Sequence, residues 1–131
     1  MAYAVDMDII MEIESSGNPD AYNESSQARG LFQITPICLK EFNNYNKTNY
    51  TVEQLFNPIL NRKIADWYLH KRIPQMLRYY KKPVSLENIL VSYNAGISHV
   101  LKRGCMPIET LKYLGRYRRI QERRRNEQRE N

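Results

Sequence analysis

With 131 residues, 42% apolar and 26% charged, the chain is sized and composed for one globular domain with a single core. No window approaches the roughly 18 apolar residues of a membrane span. The first dozen residues carry Asp6, Asp8 and Glu12 but no basic residue, so they do not form a secretory signal of the basic-then-apolar kind.

The expected secondary structure is helical almost throughout. Tyr3, Met7, Ile10, Met11 and Glu14 fall on three- and four-residue steps, which predicts a first amphipathic helix ending near Glu14. The stretch 15–29, rich in Ser, Asn, Gly and Pro, reads as a loop of about fifteen residues, a length that compact domains keep for function or disorder. Thr35-Pro36 is an N-cap followed by proline at the first helical position and opens a second helix. Residues 43–49 read as polar linker, and Thr51-Val52-Glu53-Gln54 has capping-box spacing that opens a short turn. Asn57-Pro58 repeats the cap-then-proline signal. A third helix follows, with Ile64, Trp67, Tyr68 and Lys71 on one face, and Pro74 ends or kinks it. Trp67, in mid-helix, reads as a core residue. Ser85 caps a fourth helix through Ile89, Leu90 and Tyr93, and Gly96 suits its C-terminal end. Ile97 to Arg103 reads as a short helix closed by Gly104. Pro107 starts the last, whose inward face is Leu111, Leu114 and Tyr117. No alternating strand pattern of useful length and no internal repeat is present.

Net charge is +6, and seven Arg against three Glu from Arg116 to Asn131 place 7 − 3 = +4 of it in the tail. Such a tail suits an anionic partner: nucleic acid, lipid head groups or an acidic polymer. The plainer reading is a solvated helix with Arg118–Glu122 and Arg123–Glu127 pairs, and it is favoured because the Arg are interleaved with Glu and have no aromatic partner beyond Tyr117. Cys38 and Cys105 are too few for a disulfide framework and are expected as buried free thiols. His70 and His99 have no ligating cluster around them, so no metal or other cofactor is expected.

Nucleophile elbows, phosphate-cradling glycine loops and His–Glu metal motifs are absent. What remains is carboxylate chemistry. Glu14 closes its helix against the long loop, where it can face a cleft. Apolar neighbours such as Ile13 and Leu31 would desolvate it and raise its pKa toward neutrality. A carboxylic acid held protonated there can donate to a leaving oxygen.

Glu14-Ser15 with Asn18-Pro19, then Ala28-x-Gly30-Leu31-Phe32-Gln33-Ile34-x-Pro36, resembles the first two motifs of the soluble lytic transglycosylase (SLT-type) family. Asn57-Pro58 with Asn61 and Tyr68-Leu69, Ser92-Tyr93-Asn94-Ala95-Gly96, and Pro107-x-Glu109-Thr110-x-x-Tyr113 resemble three more, in the same order. The resemblance implies an all-α, compact, lysozyme-like domain over residues 1–115 with a long active-site loop after the first helix, followed by a basic helix or tail over 116–131. It implies cleavage of the β-1,4 bond between N-acetylmuramic acid and N-acetylglucosamine in peptidoglycan, leaving a 1,6-anhydro end. Glu14 would be the single catalytic group, acid first and base afterwards. Ser15, Ser25, Gln33, Tyr93, Asn94 and Tyr113 would bind substrate, with Gln33 lining the cleft, Tyr93 bonding or positioning Glu14, Asn94 supporting that corner and Tyr113 closing the cleft from the last helix.

The sequence departs from the family pattern in places. Phe32 stands where Met is usual and Ser92 where Ala is usual. The segment Glu24-Ser25-Ser26-Gln27-Ala28 is one residue longer than the common spacing, so the assisting serine falls on Glu24 by position and on Ser25 by residue type. Asp20 or Glu24 could then supply a second carboxylate and make a hydrolytic lysozyme of the same fold. A third reading is a wall-binding structural or adaptor protein, against which the intact Glu14 argues. The expected partners are peptidoglycan strands and, through the tail, an anionic wall polymer or membrane surface. No nucleic-acid partner is expected, and the protein is expected to be a monomer. Its place of action would be the periplasm or cell wall, reached from a phage, from a virion or as part of a periplasmic protein.

Overall fold

The computed structural model describes residues 4–102 and 106–130. Its elements in chain order are α1 (Met7–Ser15), the short strands β1 (Tyr22–Asn23) and β2 (Ala28–Arg29), α2 (Pro36–Asn46), a 3₁₀ turn (Val52–Phe56), α3 (Pro58–Trp67), a π turn (Tyr68–Arg72), α4 (Ile73–Tyr79), α5 (Leu86–Ala95), α6 (Ser98–Leu101) and α7 (Ile108–Glu130). The expected all-α fold is present, with one small antiparallel hairpin added. Tyr3, Arg103, Gly104 and Cys105, which entered the expectations above, lie outside the described residues.

Local capping chemistry sets most of the boundaries. Asp6 accepts from the amides of Asp8 and Ile9 to start α1, and Ser16 ends it in the left-handed region. Thr35 accepts from Cys38 N–H ahead of Pro36, Asn57 from Ile59 and Leu60 ahead of Pro58, and Ser85 from Asn88, as the cap signals predict. Thr51 and Gln54 form the reciprocal capping box.

Four expectations are corrected. Stretch 15–29 is not a plain loop: Tyr22 pairs with Arg29 and Asn23 with Ala28. Two residues per strand carry no periodicity to read. The linker at 43–49 is shorter, because α2 continues to Asn46 before Lys47 turns left-handed. Asn43 then spends its side chain on Thr48 and on both the amide and the carbonyl of Tyr50, folding the chain back. Pro74 neither stops the helix nor sits in a regular one. The helix widens so that Ile73 N–H donates to the Tyr68 carbonyl, a π turn that gives the proline ring room against the preceding turn. On α7 the inward face is Tyr113, Leu114, Tyr117 and Ile120, while Leu111 is 54% exposed.

The core gathers Ile9 and Ile10 of α1, Phe32 and Ile34, Leu55, Ile64 of α3, Leu69 and Ile73, Leu77, Ile89 of α5 and Tyr117 of α7, all essentially inaccessible. Trp67 packs against this core, edge-on to Phe42. Helix α7 runs unbroken past Arg116 and lies along α1. Tyr117 Oη accepts from Asp6 N–H at 3.0 Å, and Arg123 grips both Glu12 carboxylate oxygens at 2.9 and 3.1 Å. The Arg123–Glu127 pair forms at 3.8 Å. Arg118 does not reach Glu122, which pairs with Arg125 instead.

Candidate active site

The segment after the hairpin is a tight reversal. Arg29 and Ile34 exchange both backbone hydrogen bonds at 3.0 Å, so Gly30, Leu31, Phe32 and Gln33 form the turn between them. Gly30 has φ +84°, and a Cβ there would overlap Asn61 Nδ2 and the Leu55 carbonyl; only glycine fits. Gln33 is left-handed at φ +53°, a conformation costly for a residue with a Cβ and found where function or packing holds it.

Two side chains clamp this turn from behind. Asn61, fully buried, accepts from Phe32 N–H and donates to the carbonyls of Arg29 and Leu55, each at 2.8 Å. Tyr93 Oη donates to the Phe32 carbonyl at 2.6 Å. Phe32 thus has both backbone polar groups satisfied while its ring is in the core. The clamp leaves Gln33 at the surface of a cleft. Its Nε2 donates to the carbonyls of Ala21 and Gly30, so the polar atom it offers a ligand is Oε1.

The cleft holds about 230 Å³ and is walled by Glu14, by Asn23, Ser26 and Ala28 of the hairpin, by Gln33 to Thr35, and by Cys38, Tyr68, Tyr93 and Asn94. Glu14 is its only carboxylate among the described residues. It sits one residue from the end of α1. Burial raises its pKa from 4.5 to about 7, against a hydrogen bond from Tyr113 and the charge of Arg116, which both lower it. Tyr113 Oη donates to Glu14 Oε2 at 3.0 Å. Burial first, then the Glu14 charge, keep the phenols of Tyr93 and Tyr113 neutral well above the usual range, so both keep a proton to donate. Burial and the charge of Glu41 push the Cys38 thiol up to about 12, which leaves it a packing group and not a nucleophile.

Of the residues singled out in the sequence, Glu14, Gln33, Tyr93 and Asn94 meet in the cleft, with Tyr113 behind Glu14. Two do not join them. Ser15 Oγ donates to the Met11 carbonyl and accepts from Gly17 N–H, finishing α1. Ser25 is held at the hairpin tip, where its amide and hydroxyl both donate to Asn23 Oδ1. Its neighbour Ser26 reaches the cleft instead. The positioning bond to Glu14 also comes from a different tyrosine: Tyr113 makes it, because Tyr93 is committed to Phe32. Asn94 lines the cleft, and its Oδ1 accepts from Thr110 Oγ1 at 2.9 Å. Ser26, Asn23 and Arg116 were not anticipated. The hairpin register that brings the first two inward is visible only once the strands pair.

A helical domain presenting one desolvated acid in an open cleft is of the lysozyme-like class. The family model described as the transglycosylase SLT domain matches residues 5–106, and the chain belongs to that family. At family level it is a glycan-cleaving enzyme that acts on the peptidoglycan of cell walls. No curated protein and no solved structure matches the chain. No helix among the described residues is long and apolar enough to cross a membrane.

Proposed function

We propose that the protein is a lytic transglycosylase that cuts the bond between N-acetylmuramic acid and N-acetylglucosamine and leaves a 1,6-anhydromuramoyl end, with Glu14 as its one catalytic residue. The observation carrying this reading is a lone cleft carboxyl group with a pKa of about 7. Near neutral pH about half of it is protonated and able to give a proton to the bridging oxygen. As the glycosidic bond breaks, the acetamido oxygen of the same sugar supports the anomeric carbon. Glu14, now a carboxylate, takes the proton of the sugar's C6 hydroxyl, and that oxygen closes onto the anomeric carbon. The proton lost in the first half is regained in the second, so no water is consumed.

Tyr113 supports both halves by holding Glu14 Oε2 in place while its charge changes, and Arg116 stabilises the carboxylate form. Gln33, Asn94 and Ser26 are proposed to bind the sugars through cleft-facing polar atoms. Asp20 and Glu24, the second carboxylates a hydrolytic lysozyme would need, are exposed and do not line the cleft, which supports the reaction without water. The tail's proposed attachment to an anionic surface rests on Arg118, Arg119 and Arg129, since Arg123 and Arg124 turn toward Glu12 and Asp6.

Mass spectrometry of digested murein tests the reading. The wild-type chain should release fragments lighter by one water than hydrolysed ends, and Glu14→Gln should release none. Hydrolysed ends from the wild type, or substantial release by the variant, overturn it.

A further inference from the structure

The turn that joins α4 to α5 carries the run Arg78-Tyr79-Tyr80-Lys81-Lys82, whose first four residues are exposed. Tyr79 is 79% and Tyr80 48% exposed, and their rings meet edge to face with centroids 5.0 Å apart. Among the described residues, Arg78, Lys81 and Lys82 meet no carboxylate at ion-pair distance. The patch therefore sets three unneutralised positive charges around two aromatic rings.

The helix end accounts for part of this. Lys82 N–H donates to the Leu77 carbonyl and Lys81 N–H to the Arg78 carbonyl, a Schellman closure with Lys81 left-handed at φ +57°. Cations suit a helix C-terminus, which explains the place of the charges. It does not explain two large rings left in water beside them, since contiguous exposed apolar surface marks a contact. Tyrosines with cations alongside match the boundary of an anionic bilayer: the rings enter the head-group layer and the cations meet lipid phosphates. Standing at 90° to each other, the rings offer no shared flat platform for a sugar to stack on.

The cleft lies at the other end of the same two helices. Helices α4 and α5 pack together. Tyr68, at the start of the turn leading into α4, lines the cleft, as do Tyr93 and Asn94 at the far end of α5. Helix rise puts about 12 Å along α5 between Leu86 and Asn94. The turn is fixed to that helix, because Ser85 caps α5 and Asn88 Nδ2 donates to the Pro83 carbonyl. We propose that the α4–α5 turn is a docking edge for an anionic lipid surface, holding the protein against a bilayer with its cleft on the side away from the lipid. This goes beyond the reaction at Glu14 and does not depend on its product.

The test uses the full chain carrying Arg118→Gln, Arg119→Gln and Arg129→Gln, so that these tail cations contribute nothing, and measures co-sedimentation with vesicles. Vesicles of phosphatidylcholine with phosphatidylglycerol should bind it, vesicles of phosphatidylcholine alone should not, and added salt should release it. Adding Arg78→Gln, Lys81→Gln and Lys82→Gln should weaken binding roughly a hundredfold. Adding Tyr79→Ser and Tyr80→Ser instead should weaken it roughly tenfold. Adding Gln75→Lys, exposed one helical turn before Arg78, should tighten it, a gain that misfolding cannot produce. Equal binding to both kinds of vesicle, binding to neither, or anionic binding that survives either set of losses overturns the docking edge. Capture by poly(glycerol phosphate) without capture by anionic vesicles overturns it in favour of a wall polymer. Murein cleavage in solution, read separately, tests Glu14 and is untouched by any of these outcomes.

Discussion

Glu14 should cost the fold stability at the pH where the cleft needs it charged, and Glu14→Gln should recover that cost. Its folded pKa, about 7, lies above the ordinary 4.5. Between these values the folded chain holds a proton that the unfolded chain releases, so stability falls as pH rises through that window and levels off above it. Each tenfold of proton affinity is worth about 1.4 kcal/mol, so the full window amounts to about 3 kcal/mol. Glutamine has nearly the same shape, still accepts from Tyr113 and never ionises. At about pH 4, where Glu14 is protonated in both states, variant and wild type should melt together. At about pH 8 the variant should be more stable by up to about 3 kcal/mol, a rise of roughly 10 °C in melting temperature for a chain of this size. Thermal melts of both proteins across this range are the assay. A melting difference that does not change with pH would refute the desolvated-acid argument, and with it the reason for treating Glu14 as the proton donor. A gain confined to high pH, together with loss of murein cleavage, marks a residue kept for chemistry at the expense of the fold.

Other consequences separate the roles of neighbouring residues. Tyr113→Phe removes a donor that lowers the Glu14 pKa. The alkaline limb of the kcat/KM profile, where the acid form is lost, should therefore move up by about one pH unit; a limb that stays or moves down refutes the bond's role. Asn61→Ala strands Phe32 N–H and the Leu55 carbonyl and takes one of two donors from the Arg29 carbonyl, and should cost about 3 kcal/mol in urea unfolding. Gly30→Ala should cost at least as much, from overlap with Asn61 and strain at φ +84°. Ser92 Oγ is buried without a hydrogen-bond partner among the described residues, so Ser92→Ala should stabilise by about 1 kcal/mol, read as a higher urea midpoint; a lower midpoint would show that the hydroxyl is bonded.

The helix starts were legible in the sequence because caps are local. Thr35, Asn57 and Ser85 bond amides two or three residues on, and nothing distant decides whether they can. Glu14 was legible by its setting, and Gln33, Tyr93 and Asn94 by motif. The division of labour between the two tyrosines was not. Whether Tyr93 or Tyr113 reaches Glu14 depends on how α7 lies against α1, a contact between residues 99 apart in the chain. Ser25 and Ser26 could not be told apart either: Asn23 Oδ1 accepts from both their amides, and only the Ser25 hydroxyl turns back onto it. The packing of the tail was hidden for a related reason. Its charge pattern suggests a solvated helix, and nothing local shows that Ile120 continues the three-residue steps of Leu114 and Tyr117 into the core or that Arg123 binds Glu12 across 111 residues. The consequence is mechanistic. Residues 5–106, which match the family, supply the acid and the cleft, whereas Tyr113 and Arg116, which pull its pKa back toward neutrality against burial, stand on α7 beyond that span. In the proposed mechanism, burial alone would leave Glu14 protonated too firmly to give up its proton readily or to serve as a base afterwards. The helix after the matched segment thus acts on the acidity of Glu14, on which the proposed chemistry turns.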